Sequence, residues 1–221
     1  MNNYTFRTLN PRNDLDIKKY FDLVSRLSGF CNNSKDIDED TIKWARVHMG
    51  AIEFAQPKHN EAPLPPLEEN ADEFVFVCEY NGHLVGYVEI CAYHIVDGKR
   101  PNDDIGILHE IFVLDEHRNG TIAYTLLQMA ISKLIEQGKG HSNCNVQEDK
   151  PNRFLHFAMA NGNVINSEPC TRSNGATTID YTLLIDLNKL KTLSQKEIGL
   201  KALQYQSGKK TLNFLSEQAT Q

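Results

Sequence analysis

One imidazole and two carboxylates stand inside strand-like apolar runs, where an ionisable group needs a reason to be. His109 and Glu110 interrupt the run from Ile105 to Leu114 (IGILHEIFVL), and Glu89 interrupts the run from His83 to His94. An imidazole with an unperturbed pKa of about 6.5 can accept a proton near neutral pH, and Glu110 is its adjacent rival for that task. Glu89 is a further candidate. Each has an ordinary structural explanation as well, a histidine satisfied in the core or at its rim and a glutamate on a solvated strand face. Just beyond, HRNGTIA (His117 to Ala123) is a short glycine-containing turn that ends where a helix begins. Such a turn leaves the first helical amides unpaired at the positive end of the helix dipole, a setting for phosphate or pyrophosphate. The alternative is a plain strand-to-helix turn in which Gly120 supplies a positive φ.

The stretch that must position these groups, Ile105 to Gly138, changes period in its middle. Ile105 to Leu114 is nearly continuous, β-branched and aromatic, as in a strand covered on both faces. From Ile122 the apolar residues Leu126, Leu127, Ala130, Ile131, Leu134 and Ile135 fall at steps of three and four, which predicts a helix stopped by Gly138. Upstream, Phe74 to Tyr80 and His83 to His94 predict a hairpin turning on Asn81-Gly82. Its second strand places Tyr87, Glu89, Cys91 and Tyr93 on one face and Val88, Ile90 and Ala92 on the other. The same alternation in the central strand groups Ile107, His109, Ile111 and Val113 against Leu108, Glu110 and Phe112, unless a bulge exchanges the sets. Tyr4 to Thr8 reads as a first strand and Pro11 to Asp14 opens a helix with Leu15, Tyr20, Phe21, Val24 and Leu27 on one side. A shorter helix is expected from about Asp38. After Gly140 come a short strand at His141 to Val146, a helix at Asn152 to Ala160, and closing strands from Asn163 to Leu187.

The run EIFVLDEHRNGTIAYTLL resembles the signature of the Gcn5-related N-acetyltransferases, in which a strand ending in valine meets an R-G-x-G-x-G/A loop and a pyrophosphate-binding helix. Arg118 matches the family arginine, Ala123 the final small residue and Ile111 to Val113 the strand end. The resemblance implies a mixed α/β fold: a mostly antiparallel central sheet flanked by helices, with a splayed strand pair forming an acetyl-CoA slot. That slot would lie between the Ile107 to Val113 strand and the Asn143 to Val146 strand. Ile111, Phe112 and Val113 would meet the pantetheine arm, helped by Asn152, while Arg118, Asn119, Gly120, Thr121, Ile122 and Ala123 would form the pyrophosphate cradle. Thr121 stands where the loop usually has its second glycine, and Ala158 where the family carries a tyrosine that protonates the leaving thiolate.

Acetyl transfer to an amine asks for alignment, a base and donors that polarise the thioester carbonyl. His109 falls where related enzymes acting on polyamines and aminoglycosides often carry a glutamate. The runs around Glu89 (GYVE) and Leu108 to Leu114 (LHEIFVL) also look like those of aminoglycoside 6'-N-acetyltransferases, although Cys144 replaces an acidic residue of theirs. The resemblance thus implies an N-acetyltransferase that uses acetyl-CoA as cosubstrate and a primary amine of a small molecule as acceptor, in one ternary complex. Two rivals stay open. Thr121 and Ala158 motivate a catalytically impaired binding or regulatory protein on the same scaffold, and toxin-like relatives suggest a protein or aminoacyl-tRNA amine as acceptor.

Composition bounds these readings. The 221 residues suit one core, read as a single domain over 1–188 with a Pro- and Glu-rich loop insertion at 53–72 and a helical tail at 189–221. A net charge of −6 favours a cationic acceptor and disfavours a nucleic-acid partner. The N-terminal residues show no apolar secretory region and no run reaches the roughly 18 apolar residues of a membrane span, so a cytoplasmic location is expected. Five scattered cysteines argue against a disulfide framework, and eight histidines without H-x-x-x-H spacing predict no metal site. There is no G-x-S-x-G elbow for a nucleophilic serine and no P-loop. A homodimer is left open.

Overall fold

The computed structural model describes residues 4–10, 13–28, 73–92, 104–118, 120–147, 153–171 and 177–200. The helix expected from Asp38, the 53–72 loop, Tyr93, Asn119, Asn152 and the tail beyond 200 lie outside the described residues. The chain divides into two compact units, Met1–Lys139 and Gly140–Gln221.

In the first unit β1 (Tyr4–Thr8), β2 (Glu73–Tyr80), β3 (His83–Cys91) and β4 (Ile105–Val113) pair in that order, each antiparallel to the next. The β2-β3 hairpin turns on Asn81 and Gly82, both at positive φ (51° and 81°), as a type I' turn requires. Helices α1 (Asp14–Ser28) and α2 (Thr121–Glu136) cover the two faces. Against α1 lie Val75, Val77 and Tyr87, clustered with Ile17, Tyr20 and Leu23. On the α2 side Val88, Ile90 and Leu108 are buried, as are Ile122, Leu126, Ala130, Ile131 and Leu134 of the helix, each large side chain stabilising the fold by about 1.5–3 kcal/mol. Helix α2 stops as expected: Gly138 takes φ 78°, and the amides of Gly138 and Lys139 donate to the carbonyls of Ile135 and Leu134.

One expected side is corrected in α1. Leu15 is 60% exposed, and the buried stripe runs instead through Ile17, Tyr20 and Leu23. Its neighbour Asp16 is the buried one, because the Arg7 guanidinium grips both carboxylate oxygens at 2.6 and 2.8 Å.

A β-bulge in β4 decides where the chemistry can sit. Glu89 pairs with Glu110, yet the next residue, Ile90, pairs with Leu108, so His109 is the extra residue on β4. The alternation therefore changes across it. Gly106 and Leu108 face α2 before the bulge, and Ile111 and Val113 face α2 after it, opposite Val88 and Gly86. This corrects the simple two-set grouping: Ile107 no longer shares a face with Val113, nor Leu108 with Phe112.

In the second unit β5 (His141–Gln147), β7 (Thr177–Asp186) and β6 (Gly162–Thr171) pair antiparallel in that order, packed with α3 (Arg153–Asn161) and the short α4 (Leu187–Lys191). Leu183, Ile185 and Cys144 of the strands and Ala158 of α3 are buried. Leu187 leaves the expected strand because Asp186 caps α4, accepting the Lys189 amide at 2.9 Å. Both units alternate strand and helix with antiparallel pairing, the mixed α/β class that was expected.

Two thiols are silenced by this packing. Burial pushes Cys78 up to about 11 and Cys144 up to about 12. At pH 8 the thiolate fraction of Cys144 is then on the order of 10⁻⁴. Among the described cysteines, iodoacetamide at that pH is expected to label half-buried Cys170 first and to reach Cys78 and Cys144 only on unfolding, as peptide mass spectrometry would read.

Candidate active site

The bulge sets His109 and Glu110 side by side, both exposed, on the face of the sheet that carries α1. Glu89 stands across from Glu110 on β3 and Glu73 across from Cys91, so one face holds three glutamates on three adjacent strands. Tyrosine hydroxyls hold two of them: Tyr87 donates to Glu110 at 2.6 Å, and Tyr20 of α1 donates to Glu89 at 3.0 Å. The two tyrosine rings meet edge to face at 5.3 Å. Both phenols stay protonated, since burial first and the neighbouring carboxylates second raise them well above the usual tyrosine range. Glu73 differs. Burial, reinforced by the charge of Glu89, raises its carboxyl to about 7, and its Oε2 is buried with no hydrogen-bond partner among the described residues.

Beyond β4 the chain makes one 3-10 turn (Asp115–His117) and enters α2. His117 ties this turn to the sheet through a 3.0 Å hydrogen bond with the Tyr4 hydroxyl and ring contacts with Tyr4 and Tyr80. Arg118 folds back on the strand end: Nε donates to the Val113 carbonyl at 2.7 Å, Nη1 pairs with Asp115 at 2.6 Å, and the guanidinium lies 5.0 Å over the Phe112 ring. Gly120 occupies the N-cap of α2 at φ 85° and, as a glycine, brings no side chain of its own to cap the helix. The first helical bond runs from the Tyr124 amide to the Gly120 carbonyl. The helix thus opens with glycine backbone and its amide dipoles, the arrangement that suits an anion.

The model of the acetyltransferase (GNAT) family matches residues 43–158. The chain belongs to the GNAT acetyltransferase family. Solved GNAT-type structures share its fold at low identity. The yncA acetyltransferase of Salmonella typhimurium, solved with acetyl-CoA, is 15% identical with a TM-score of 0.58, over 84% of this chain and 95% of that one. An N-acetyltransferase of Staphylococcus aureus Mu50 gives 15% and 0.57, over 84% and 99%. Aminoglycoside 6'-acetyltransferase type Ii gives 11% and 0.53, over 83% and 97%. No curated protein sequence matches the chain.

In this GNAT chain the three predicted catalytic residues, His109, Glu110 and Glu89, come together on one face. Of the predicted cofactor residues, Phe112 is half-buried under Arg118, Val113 is buried and half-buried Ile111 lies opposite Val88. Gly120, exposed Thr121, Ile122 and Ala123 form the start of α2. Ile122 is 1% exposed and packs toward Gly86 and Val113, so only its backbone can serve a ligand. Ala158 is fully buried, so it presents nothing to a leaving group. Sequence reading missed Tyr20, Tyr87 and Glu73. Tyr87 shares the period-two face of Glu89 and could have been paired with it, whereas Tyr20 and Glu73 are joined to the site only by tertiary structure. A cavity of about 310 Å³ lined by Lys19, Asp22, Tyr80, His83, Glu116 and His117 lies at the hairpin end and holds none of these groups. Among the described residues no helix is long and apolar enough to cross a membrane.

Proposed function

We propose that this GNAT chain transfers the acetyl group of acetyl-CoA to a primary amine of a small molecule within one ternary complex. The observation that carries the proposal is the β4 bulge, which sets an imidazole beside a carboxylate on the strand that leads to the glycine N-cap of α2. An incoming ammonium is attracted by Glu89 and Glu110, which their tyrosines hold in place. His109 takes the ammonium proton, and the freed amine attacks the thioester carbonyl carbon; the carbon–sulfur bond then breaks, the CoA thiolate leaves, and the nitrogen sheds its remaining extra proton to solvent as the amide forms. Glu110 steers and Glu89 assists. Ile111, Phe112, Val113 and Asn152 line the pantetheine arm, and Arg118 with Asn119, Gly120, Thr121, Ile122 and Ala123 surrounds the pyrophosphate. Arg118 contributes mainly by fixing the strand end, given its bond to the Val113 carbonyl.

Thr121 and buried Ala158 support the second reading, the latter because it carries no hydroxyl to protonate a thiolate. Two measurements separate the cases. Isothermal titration with acetyl-CoA is expected to show binding, and CoA release over a panel of amines, polyamines and aminoglycosides is expected for at least one class. Binding without release for any amine supports a non-catalytic binder. Release only with a peptide N-terminus as acceptor would move the substrate to proteins, as in the ribosomal-protein-S18-alanine N-acetyltransferase of Escherichia coli, which shares the fold at 12% identity, a TM-score of 0.51 and 83% and 94% coverage. No heat at millimolar cofactor would end the proposal.

A further inference from the structure

The geometry points to a divalent-metal site of the zinc class on the α1 face, formed by Glu73, Cys91 and His109. The ligand atoms of these three side chains lie within 4.8 Å of one another. Three adjacent strands supply them: Glu73 on β2 is registered directly opposite Cys91 on β3, and the bulge delivers His109 from β4 to the same place. Ligands at zinc distances around a tetrahedral centre stand about 3.3–3.8 Å apart. Closing by roughly an ångström through side-chain rotation therefore suffices, with no strand movement. The donor set is carboxylate oxygen, thiol sulfur and imidazole nitrogen, the combination that zinc accepts and that calcium or magnesium does not.

A second observation points to a cation. Glu73 Oε2 is buried without a hydrogen-bond partner among the described residues, a costly state for a carboxyl oxygen that a metal bond would relieve. Cys91 is 6% exposed while His109 is exposed, so the metal enters from the His109 side and is held by a sheltered sulfur. Binding deprotonates the Cys91 thiol: the metal–sulfur bond forms as the sulfur–hydrogen bond breaks, and the proton goes to buffer. Three protein ligands leave a fourth position for water. The inference rests on strand register, ligand spacing and the unpartnered Glu73 oxygen, and holds whether or not the chain transfers acetyl groups. Where it does, loading the site removes His109 as a base.

Cobalt(II) is the probe, added to the full chain freed of metal by chelator. The expected result is one equivalent bound, with the intense near-ultraviolet thiolate-to-cobalt band, displaced by one equivalent of zinc. Cys91→Ser is expected to abolish the band. His109→Ala and Glu73→Gln are expected to weaken binding at least tenfold, with far-ultraviolet circular dichroism unchanged. No band in the wild-type chain overturns the inference, and so does a band that survives Cys91→Ser or an affinity unmoved by His109→Ala. His109 is exposed, so its variant keeps the test decisive even where Cys91→Ser does not fold.

Discussion

His109→Ala is expected to lower kcat for acetyl transfer by about 10²–10³-fold while changing acetyl-CoA affinity less than twofold. The split follows from the position of the residue. His109 is the bulged residue of β4, exposed on the α1 face, whereas the proposed cradle begins beyond Val113 at Arg118. Removing the imidazole takes away a proton acceptor without touching the helix start or the Arg118 contacts that fix the strand end. The pH profile carries a second signature. The limb of the kcat–pH profile that the base contributes is present in the wild type and lost in His109→Ala. Glu110→Gln gives a contrasting pattern, a higher KM for the amine with a smaller loss in kcat, because its task is to attract and orient the cation. Steady-state kinetics at saturating acetyl-CoA across pH 5.5 to 9 would decide; an unchanged kcat in His109→Ala removes the residue from the mechanism.

Gly86→Ala is expected to destabilise the first unit by about 1–3 kcal/mol and to weaken acetyl-CoA binding as well. A methyl group at this position would meet the Phe112 carbonyl at 2.9 Å, Val113 Cγ2 at 3.2 Å and Ile122 Cγ2 at 3.4 Å. The nearest obstacle is backbone, which cannot rotate away. The strain falls where β3 pairs with the end of β4 and where the first turn of α2 docks, so stability and cradle geometry fail together. Gly199→Ala is the control, since it has nothing within 4 Å and no positive φ, and in a helical turn it is expected to be neutral or slightly stabilising. Denaturant unfolding of both variants checks the stability arm and titration calorimetry the binding arm. Equal stability of Gly86→Ala and wild type would mean that β3 and β4 are less closely packed than described.

Local pattern made most of the first unit legible. The period change at Ile122, the Asn81-Gly82 turn and the stop at Gly138 each follow from backbone preferences of a few neighbouring residues, and the elements fall where those preferences put them. The side of β4 on which each residue stands was not legible, because a bulge is set by register with β3, and a single inserted residue reverses every assignment beyond it. Leu15 misled for a related reason. Its apolar side chain fitted a helical stripe, but the Arg7–Asp16 pair rotates that helix so that Ile17 and Leu23 face inward. The glycine at the helix start was readable as a conformational requirement and is met at φ 85°. Glu73 and Tyr20 were not readable, since they reach Glu89 only through strand pairing and helix docking. The Glu73, Cys91 and His109 cluster escaped for the same reason: metal-site spacings are recognisable along one element, and these ligands come from three.

The central claim is that the backbone at the start of α2 receives the diphosphate of CoA. Amide hydrogen exchange of the full chain with and without CoA tests it directly. Slowed exchange at Thr121, Ile122 and Ala123, well beyond any change elsewhere in α2, is the predicted result; unchanged exchange there, with CoA bound and protection confined to another segment, would contradict it.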